Sequence, residues 1–359
     1  MAELIQGTCL LMCPGKERRI REEKGLLHKF EIDENAKGGR KPKADPKKTI
    51  KCYTRSAAGL IMTDPNVLRP ASVLLSTVKY LFTKIATRRD VDWVVAYDFI
   101  FDRLRSVRQD VTIQRIDESS TGIKLYESMV RFLVYSAQRL CEENSCKYDR
   151  HTNQLYLAEC VTHLLKLYDT NPINKDCLAI DKRLKNLTLN NDRERMEALY
   201  ILLNMGNSES LNRALNLPLY LRKSSDVELS TNISLACYSN NYVRVFALVE
   251  RLRDPILVCA AMTNAPKLRR KAIEIMSTGY SCKLSTFPAY KLLELLSYKS
   301  ISKVQEDCKL FGLVCIDENI SFHKTNFKHD VQLVKIIALR EKKYFVLDEL
   351  FHKYNKRSF

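Results

Sequence analysis

The chain has 359 residues, is 45% hydrophobic and 28% charged, and carries a formal charge of +17. That length and composition provide a sizeable core in one elongated or two compact domains and exclude disorder as the default. No apolar run approaches the ~20 residues that span a bilayer, and the charged N-terminal region lacks a secretory apolar core, so a soluble intracellular protein with acidic partners is expected.

The first feature along the chain is Gly7-Thr8-Cys9-Leu10-Leu11-Met12-Cys13-Pro14-Gly15, which runs directly into Lys16-Glu17-Arg18-Arg19-Ile20-Arg21-Glu22. Glu17, Arg18, Arg21 and Glu22 can form alternating pairs along one helix. A charged helix fixed to its neighbours by such pairs explains a need for Arg18 and Arg21 without catalysis. Met12, Cys13 and Pro14 read as structural, packing the start of the chain near Trp93 and Tyr97. Twelve cysteines without an export signal read as reduced thiols, mostly core. Cys9 and Cys13 with Cys52 or His28 are the candidate zinc ligands, but there is no Cys-x-x-Cys pair and packing is preferred. No metal or cofactor is expected.

Between Lys37 and Lys51, seven basic residues (Lys37, Arg40, Lys41, Lys43, Lys47, Lys48 and Lys51) stand against Asp45 alone, a local charge of +6. Gly38, Gly39, Pro42 and Pro46 argue against regular structure. The segment is a solvated linker, an arm contacting phosphates, or a nuclear-import signal. As an arm, its seven basic side chains are the nucleic-acid contacts.

From about residue 69 the apolar spacing alternates three and four, the period of amphipathic helices. Pro70 opens a stripe through Leu74, Val78, Leu81 and Ile85. Asp92 is the candidate N-cap of the next, through Trp93, Tyr97, Ile100, Leu104 and Val107. Asp98, Asp102 and Arg105 fall on its opposite face, either as an ordinary polar surface or as a network holding the N-terminal motif. Further stripes run through Ile123, Tyr126, Val130, Leu133, Ala137 and Leu140, then through Leu157, Val161, Leu164 and Tyr168. Met196-Leu199-Leu203 and Tyr242-Val245-Val249-Leu252 continue the pattern. With no strict period, the chain reads as irregular stacked helix pairs. The basic run Lys267-Leu268-Arg269-Arg270-Lys271 follows Pro266 and reads as a solvated face on the first turns of a helix.

After about residue 285 the pattern changes. A helix through Tyr290 to Leu296 is followed by a second, Ser302 to Phe311, with Ser302 and Gln305 at capping-box spacing and Gly312 as the closing residue. Leu313–Ile316 and Ile320–Lys324 then flank Asp317-Glu318-Asn319 as two strands and a turn, with Ile320 and Phe322 on one face. Helix, helix and hairpin together make a small winged helix. Its second helix carries Lys303 and Lys309 against Glu306 and Asp307, a net charge of zero, where a duplex reader needs several basic contacts. Protein docking is therefore preferred, with Ser302 and Gln305 as candidate contacts and Phe322 as the candidate anchor if it faces outward; facing inward, Phe322 would instead hold the module together.

The sequence declares no enzyme: it has no Walker pattern, no Gly-x-Gly-x-x-Gly, no Gly-x-Ser-x-Gly and no His-Glu-x-x-His. His151 and His163 flank Cys160, but Cys160 lies beside a core stripe and is a poor nucleophile candidate.

The Met12-Cys13-Pro14 opening, with Glu17-Arg18 and Arg21-Glu22 behind it, resembles the SAC-three/GANP domain family. Matching blocks recur in order: Tyr53 to Ala58, Leu68 to Leu74, Tyr97 to Asp110, Glu197 to Tyr200 and Ser239 to Phe246. The resemblance implies an all-α fold of stacked helix pairs, a PCI-like array ending in a winged helix with a small β-hairpin. The expected division is 1–60 for the motif and basic linker, 61–285 for the array, 286–327 for the winged helix and 328–359 for a basic helical tail. It further implies a non-catalytic scaffold of a TREX-like messenger-RNA export complex, in nucleus and cytoplasm, with a PCI-domain partner, a small acidic subunit and RNA on the basic arm. The short member of the family implies an alternative, a scaffold for centrosome duplication and spindle assembly, with centrosome or spindle proteins as partners.

Overall fold

A computed structural model of the chain describes residues 5–36, 41–55, 62–170, 192–282 and 284–331. Lys37, Arg40 and the expected tail helix past residue 331 lie outside the described residues. The chain divides into two units: the first holds the described residues of 1–130 and 162–191, the second those of 131–161 and 192–344.

In the first unit, α1 (Gly15–Glu23) starts after Pro14, at a position where proline's missing N–H costs nothing. α2 (Ala71–Tyr80) starts likewise after Pro70 and runs into a π-helical turn at Leu81–Ile85, which the apolar spacing did not reveal. α3 (Trp93–Ile113) is capped by Asp92, whose carboxylate accepts the Val94 N–H at 3.1 Å. The stripes on α2 and α3 are buried as the spacing predicts. α4 (Ser120–Arg139) and α5 (Arg150–Thr170) each run from one unit into the other. Within the first unit, the Tyr168 hydroxyl donates to the buried Glu127 carboxylate at 2.5 Å.

The second unit continues with α6 (Arg193–Leu203), α7 (Ser208–Asn216), α8 (Leu219–Arg222), α9 (Ser225–Tyr238), α10 (Tyr242–Val249), α11 (Pro255–Met262) and α12 (Ala265–Gly279). α9 packs against α6, α7 and α10, and α11 against α6, so the helices stack on one another as expected. The polar turns supply the caps: Asn207 accepts from Glu209 N–H, Asn241 from Arg244 N–H and Asp254 from Ile256 N–H. The buried Glu197 holds the start of the array together by accepting from Nε and Nη2 of Arg213, at 2.8 and 2.7 Å.

The unit ends in the winged helix: β1 (Phe287–Pro288), α13 (Ala289–Leu295), α14 (Ile301–Leu310), β2 (Val314–Ile316) and β3 (Asn319–Ser321). The sheet is antiparallel in the order β1-β3-β2, with Ile320 of β3 opposite Cys315 on one side and Phe287 on the other. The fold class is that predicted, with one strand more than the hairpin, because β1 is only two residues long and holds a proline. Gly312 closes α14 at φ +84°, with the Leu313 N–H on Cys308 O and its own N–H on Lys309 O, the paired bonds of a Schellman ending. The N-cap falls two residues earlier than predicted, and Ser302 and Gln305 form no capping box. Ser300 is the N-cap, accepting the Lys303 N–H at 3.3 Å, and Gln305 donates to the Asp317 carbonyl at 2.7 Å, bracing the hairpin.

Candidate functional site

The N-terminal motif is built into α3 by two buried ionic clusters. The first centres on Glu31, whose carboxylate is fully buried. It pairs with Arg21 of α1 and with Arg103 of α3 at 3.2 Å, and accepts the N–H groups of Ile50 at 3.0 Å and His28 at 3.1 Å. Burial raises its pKa, but Arg103, Arg21 and the Ile50 amide outweigh this and hold it below the usual carboxylate range. Arg21 also donates to Ile50 O at 3.0 Å, and Glu17, one turn earlier on α1, accepts the Cys52 N–H at 2.8 Å. Asp102 accepts the Tyr53 N–H at 3.3 Å, and Arg105 lies 3.8 Å from the Tyr53 ring centre.

The second cluster centres on Asp110, also fully buried. Arg69 and Lys51 each reach it at 2.7 Å. Arg69 donates further to Ser106 Oγ at 2.8 Å and to Met12 O at 3.3 Å, and the Lys51 N–H reaches Met12 O at 2.9 Å. The carboxamide of Gln114 closes the arrangement, accepting from Gly7 N–H at 2.8 Å and donating to Arg69 O at 2.9 Å. Each buried charge thus meets a counter-charge, without which it would be expelled or neutralised.

Of the seven motif residues predicted as structural, Cys13, Pro14 and Arg21 are buried and Met12, Glu17, Arg18 and Glu22 half-buried. Met12 contributes chiefly its carbonyl oxygen. One nitrogen of Arg18, Nη1, is buried without a hydrogen-bond partner. The polar face of α3 is a network, as one of the two sequence readings had it, but its principal members Glu31, Arg69, Arg103 and Asp110 were not singled out.

The basic segment folds back along α1. Asp33 N–H bonds Lys43 O, Asp45 N–H bonds Glu31 O, and Ile32 bridges Ala44. Lys43 pairs with Glu22 at 2.7 Å, Lys48 with Glu34 at 3.5 Å, and Lys41 donates to Glu23 O at 2.5 Å. Lys41, Lys43 and Lys47 are exposed, and Lys47 has no ionic partner among the described residues. Lys51 departs from the nucleic-acid assignment: it is 8% exposed, and its ammonium is held by Asp110 and by Val67 O at 2.8 Å.

Phe322 follows the inward of its two readings and not the docking one. It is 1% exposed and packs on Phe287 and Tyr280, with ring centres 5.9 and 6.3 Å away, so it belongs to the core of the winged helix and not to a docking face. The outward apolar side chains of this module include Val314 and Ile316 on the edge strand β2, 45% and 65% exposed, with Tyr290 of α13 and Leu310 of α14 also exposed. On α14, Lys303 is tied to Glu306 at 2.8 Å and to Asp307 at 3.6 Å.

Burial governs most of the candidate reactive groups. Burial pushes the Cys13 thiol far up, Cys52 to about 11 and Cys141 and Cys259 to about 12, which disfavours the thiolate needed for a nucleophile or ligand. Burial lowers His28 to about 4. Cys160 is buried, and His163 bonds Asp117 at 3.1 Å. Cys315 runs the other way, lowered to about 7 by the neighbouring Cys308 thiol, and it also lies 3.9 Å from Gln305 O. Exposed Cys282 is also lowered, by bonds from Ser285 and the backbone. Among the described residues no group of three or more His, Cys, Asp or Glu side chains converges as a metal site would, and no helix is long and apolar enough to cross a membrane.

Residues 12–317 match the profile of the SAC3/GANP family. The chain is similar to SAC3 family protein B of Arabidopsis thaliana, 27% identical over 290 residues, which covers 77% of this chain and 16% of that protein. It is also similar to Protein xmas of Drosophila melanogaster, 26% identical over 325 residues, 86% of this chain and 14% of that protein. SAC3 family protein 1 of Schizosaccharomyces pombe is 25% identical over 346 residues, 90% of this chain and 32% of that protein. The chain therefore spans a third or less of the length of these relatives.

Proposed function

The chain belongs to the SAC3/GANP family, and on that premise we propose that it is a non-catalytic scaffold of a messenger-RNA export assembly, holding RNA and a PCI-domain protein together with a small acidic subunit. The observation that supports this most is the division of labour in the N-terminal region. The buried cations Arg21, Arg69, Arg103 and Lys51 are matched by buried carboxylates, whereas Lys41, Lys43 and Lys47 are held at the surface of the same segment. Surface lysines on a rigid base offer phosphates a sequence-independent site. The neutral second helix of the winged module and the apolar edge of β2 suit a protein partner better than a duplex. The proposed compartments are nucleus and cytoplasm.

The test replaces Lys41, Lys43, Lys47 and Lys48 by Glu in the full chain and follows single-stranded RNA affinity against salt. Each phosphate no longer neutralised should flatten the slope by about 0.7 log units per decade. Unchanged affinity and slope would return the segment to a linker or import signal. Affinity purification from cells tests the assembly: a PCI-domain protein and an acidic peptide support export, and centrosomal or spindle proteins in their place would move the scaffold to those structures.

A further inference from the structure

Two sequence features, the turn Ser239-Asn240-Asn241-Tyr242 and the basic run Lys267 to Lys271, contribute Asn240, Tyr242, Lys267, Leu268 and Lys271 to one cavity in the second unit; Arg269 of that run departs from the solvated face expected of it, being 1% exposed and donating to Leu296 O and Ser297 O at 3.0 and 2.6 Å. The cavity measures about 200 Å³ and is bounded by Met205, Cys237, Asn240, Tyr242, Lys267 and Lys271, with Val245 and Leu268 among its apolar walls. Its shape follows from local backbone chemistry. Asn240 sits at φ +55° and closes α9, with its N–H on Cys237 O and the Asn241 N–H on Ala236 O, so the chain reverses and sets Tyr242 at the start of α10. Gly206 lets the turn after α6 approach: a Cβ there would stand 2.9 Å from Cys237 Sγ. Pro266 opens α12 in its first turn, and the following residues bring Lys267 and Lys271, four apart, to the same cavity.

The lining has one sign of charge. Among the described residues it contains two lysines and no carboxylate. Lys271 is shared with Glu274 at 3.2 Å, while Lys267 has no ionic partner among the described residues. Asn264, also in the lining, is fixed by its side-chain nitrogen on Leu202 O at 2.9 Å. A larger groove of about 660 Å³ between α9 and the segment after α10 has Glu228 and Glu250 beside Arg251 and Arg253, and so no preference for an anion. The smaller cavity lies below the ~300 Å³ at which drug-sized ligand sites begin. It suits one planar ring with an anionic group attached.

We propose that this cavity is a nucleotide-binding site for single-stranded RNA, with one base stacked on Tyr242 and its flanking phosphates on Lys267 and Lys271. An aromatic face beside paired cations is the arrangement that binds single strands with little sequence preference. The inference rests on the RNA-binding reading, but it uses residues remote in sequence from the basic segment and stands or falls separately.

The experiment titrates the full chain with short fluorescent oligouridylate and oligoadenylate across a salt series. Lys267→Ala with Lys271→Ala should flatten the salt slope by about 0.7 log units per decade for each phosphate that is no longer held. Tyr242→Ala should weaken binding by about five- to a hundred-fold, and Tyr242→Phe, which keeps the ring, should not. Photocrosslinking of 4-thiouridine oligonucleotide should mark Tyr242 or its neighbours, a readout that a merely structural tyrosine would not give. Circular dichroism checks the fold of each variant. If the unaltered chain binds no RNA, the RNA reading fails and the site with it. If RNA binding responds to the basic-segment variants but not to Lys267, Lys271 or Tyr242, the reading stands and this site is refuted.

Discussion

Replacing Glu31 by Gln removes the charge at the centre of the first ionic cluster. The single amide oxygen can keep one of the two backbone bonds, that of the Ile50 N–H on Oε1, while the NH2 group in the place of Oε2 cannot accept the His28 N–H. What disappears is the counter-charge of two guanidinium groups, Arg21 at 6% and Arg103 at 6% exposure. Removing one partner of a buried ion pair costs about 3–5 kcal/mol. Arg103 keeps Asp102 and Arg21 keeps Glu17 at 3.8 Å, so the lower end, about 3 kcal/mol, applies. Against a typical stability of about 5–15 kcal/mol this is large. With a urea m-value of about 1–3 kcal/mol/M it moves the midpoint by about 1–3 M. Urea unfolding followed by hydrogen exchange at Ile50 measures it locally. Pairing Glu31→Gln with Arg21→Met should recover part of the loss, because the orphaned cation is gone. A loss under about 1 kcal/mol, or strict additivity of the two changes to within about 0.5 kcal/mol, would refute the cluster as the anchor of the motif. The pH dependence has a fixed sign: the folded pKa lies below the 4.5 reference, so this stabilisation is complete above the unfolded value and is lost as pH falls through the folded one.

His28 supplies a second acid-side dependence. Its folded pKa of about 4 lies below its reference of 6.5, so the unfolded chain takes up the proton first and stability falls with pH between about 6.5 and about 4; His28→Asn, which keeps an acceptor for the Phe30 N–H, should remove that step in thermal melts over this range. Gly312→Ala forces a side chain into φ +84° with its Cβ 2.4 Å from Asn326 O, and should cost more than the ~1–2 kcal/mol of the left-handed conformation alone, read from hydrogen exchange along α14. Phe322→Ala should destabilise the winged helix by about 3–5 kcal/mol; Ile316→Ser, at 65% exposure, should leave the fold intact, and equal loss of helicity in both would place the core of the module elsewhere.

The parts of this structure legible in the sequence are those set by period and by local chemistry. The stripe from Trp93 to Val107 is buried, Asp92 caps its helix, and Gly312 ends α14 in a left-handed turn, because each depends on residues within one or two turns. The ties of the ionic clusters to α3 depend on pairs distant in sequence, Arg69 with Asp110 at 41 residues apart and Arg103 with Glu31 at 72, and nothing in a run of lysines distinguishes Lys51 from Lys47. Burial decides their roles, and it comes from the fold: Lys51 follows Ile50, whose two backbone groups are clamped by Glu31 and Arg21, so the chain is already committed to the interior when it reaches that lysine. The same logic governs Phe322. Alternation fixed which residues share a face of β3, yet which face is inside depended on β1, a strand of two residues whose Phe287 pairs with Ile320 and packs on Phe322. A strand too short to show a period therefore decided whether that phenylalanine holds the module together or holds a partner.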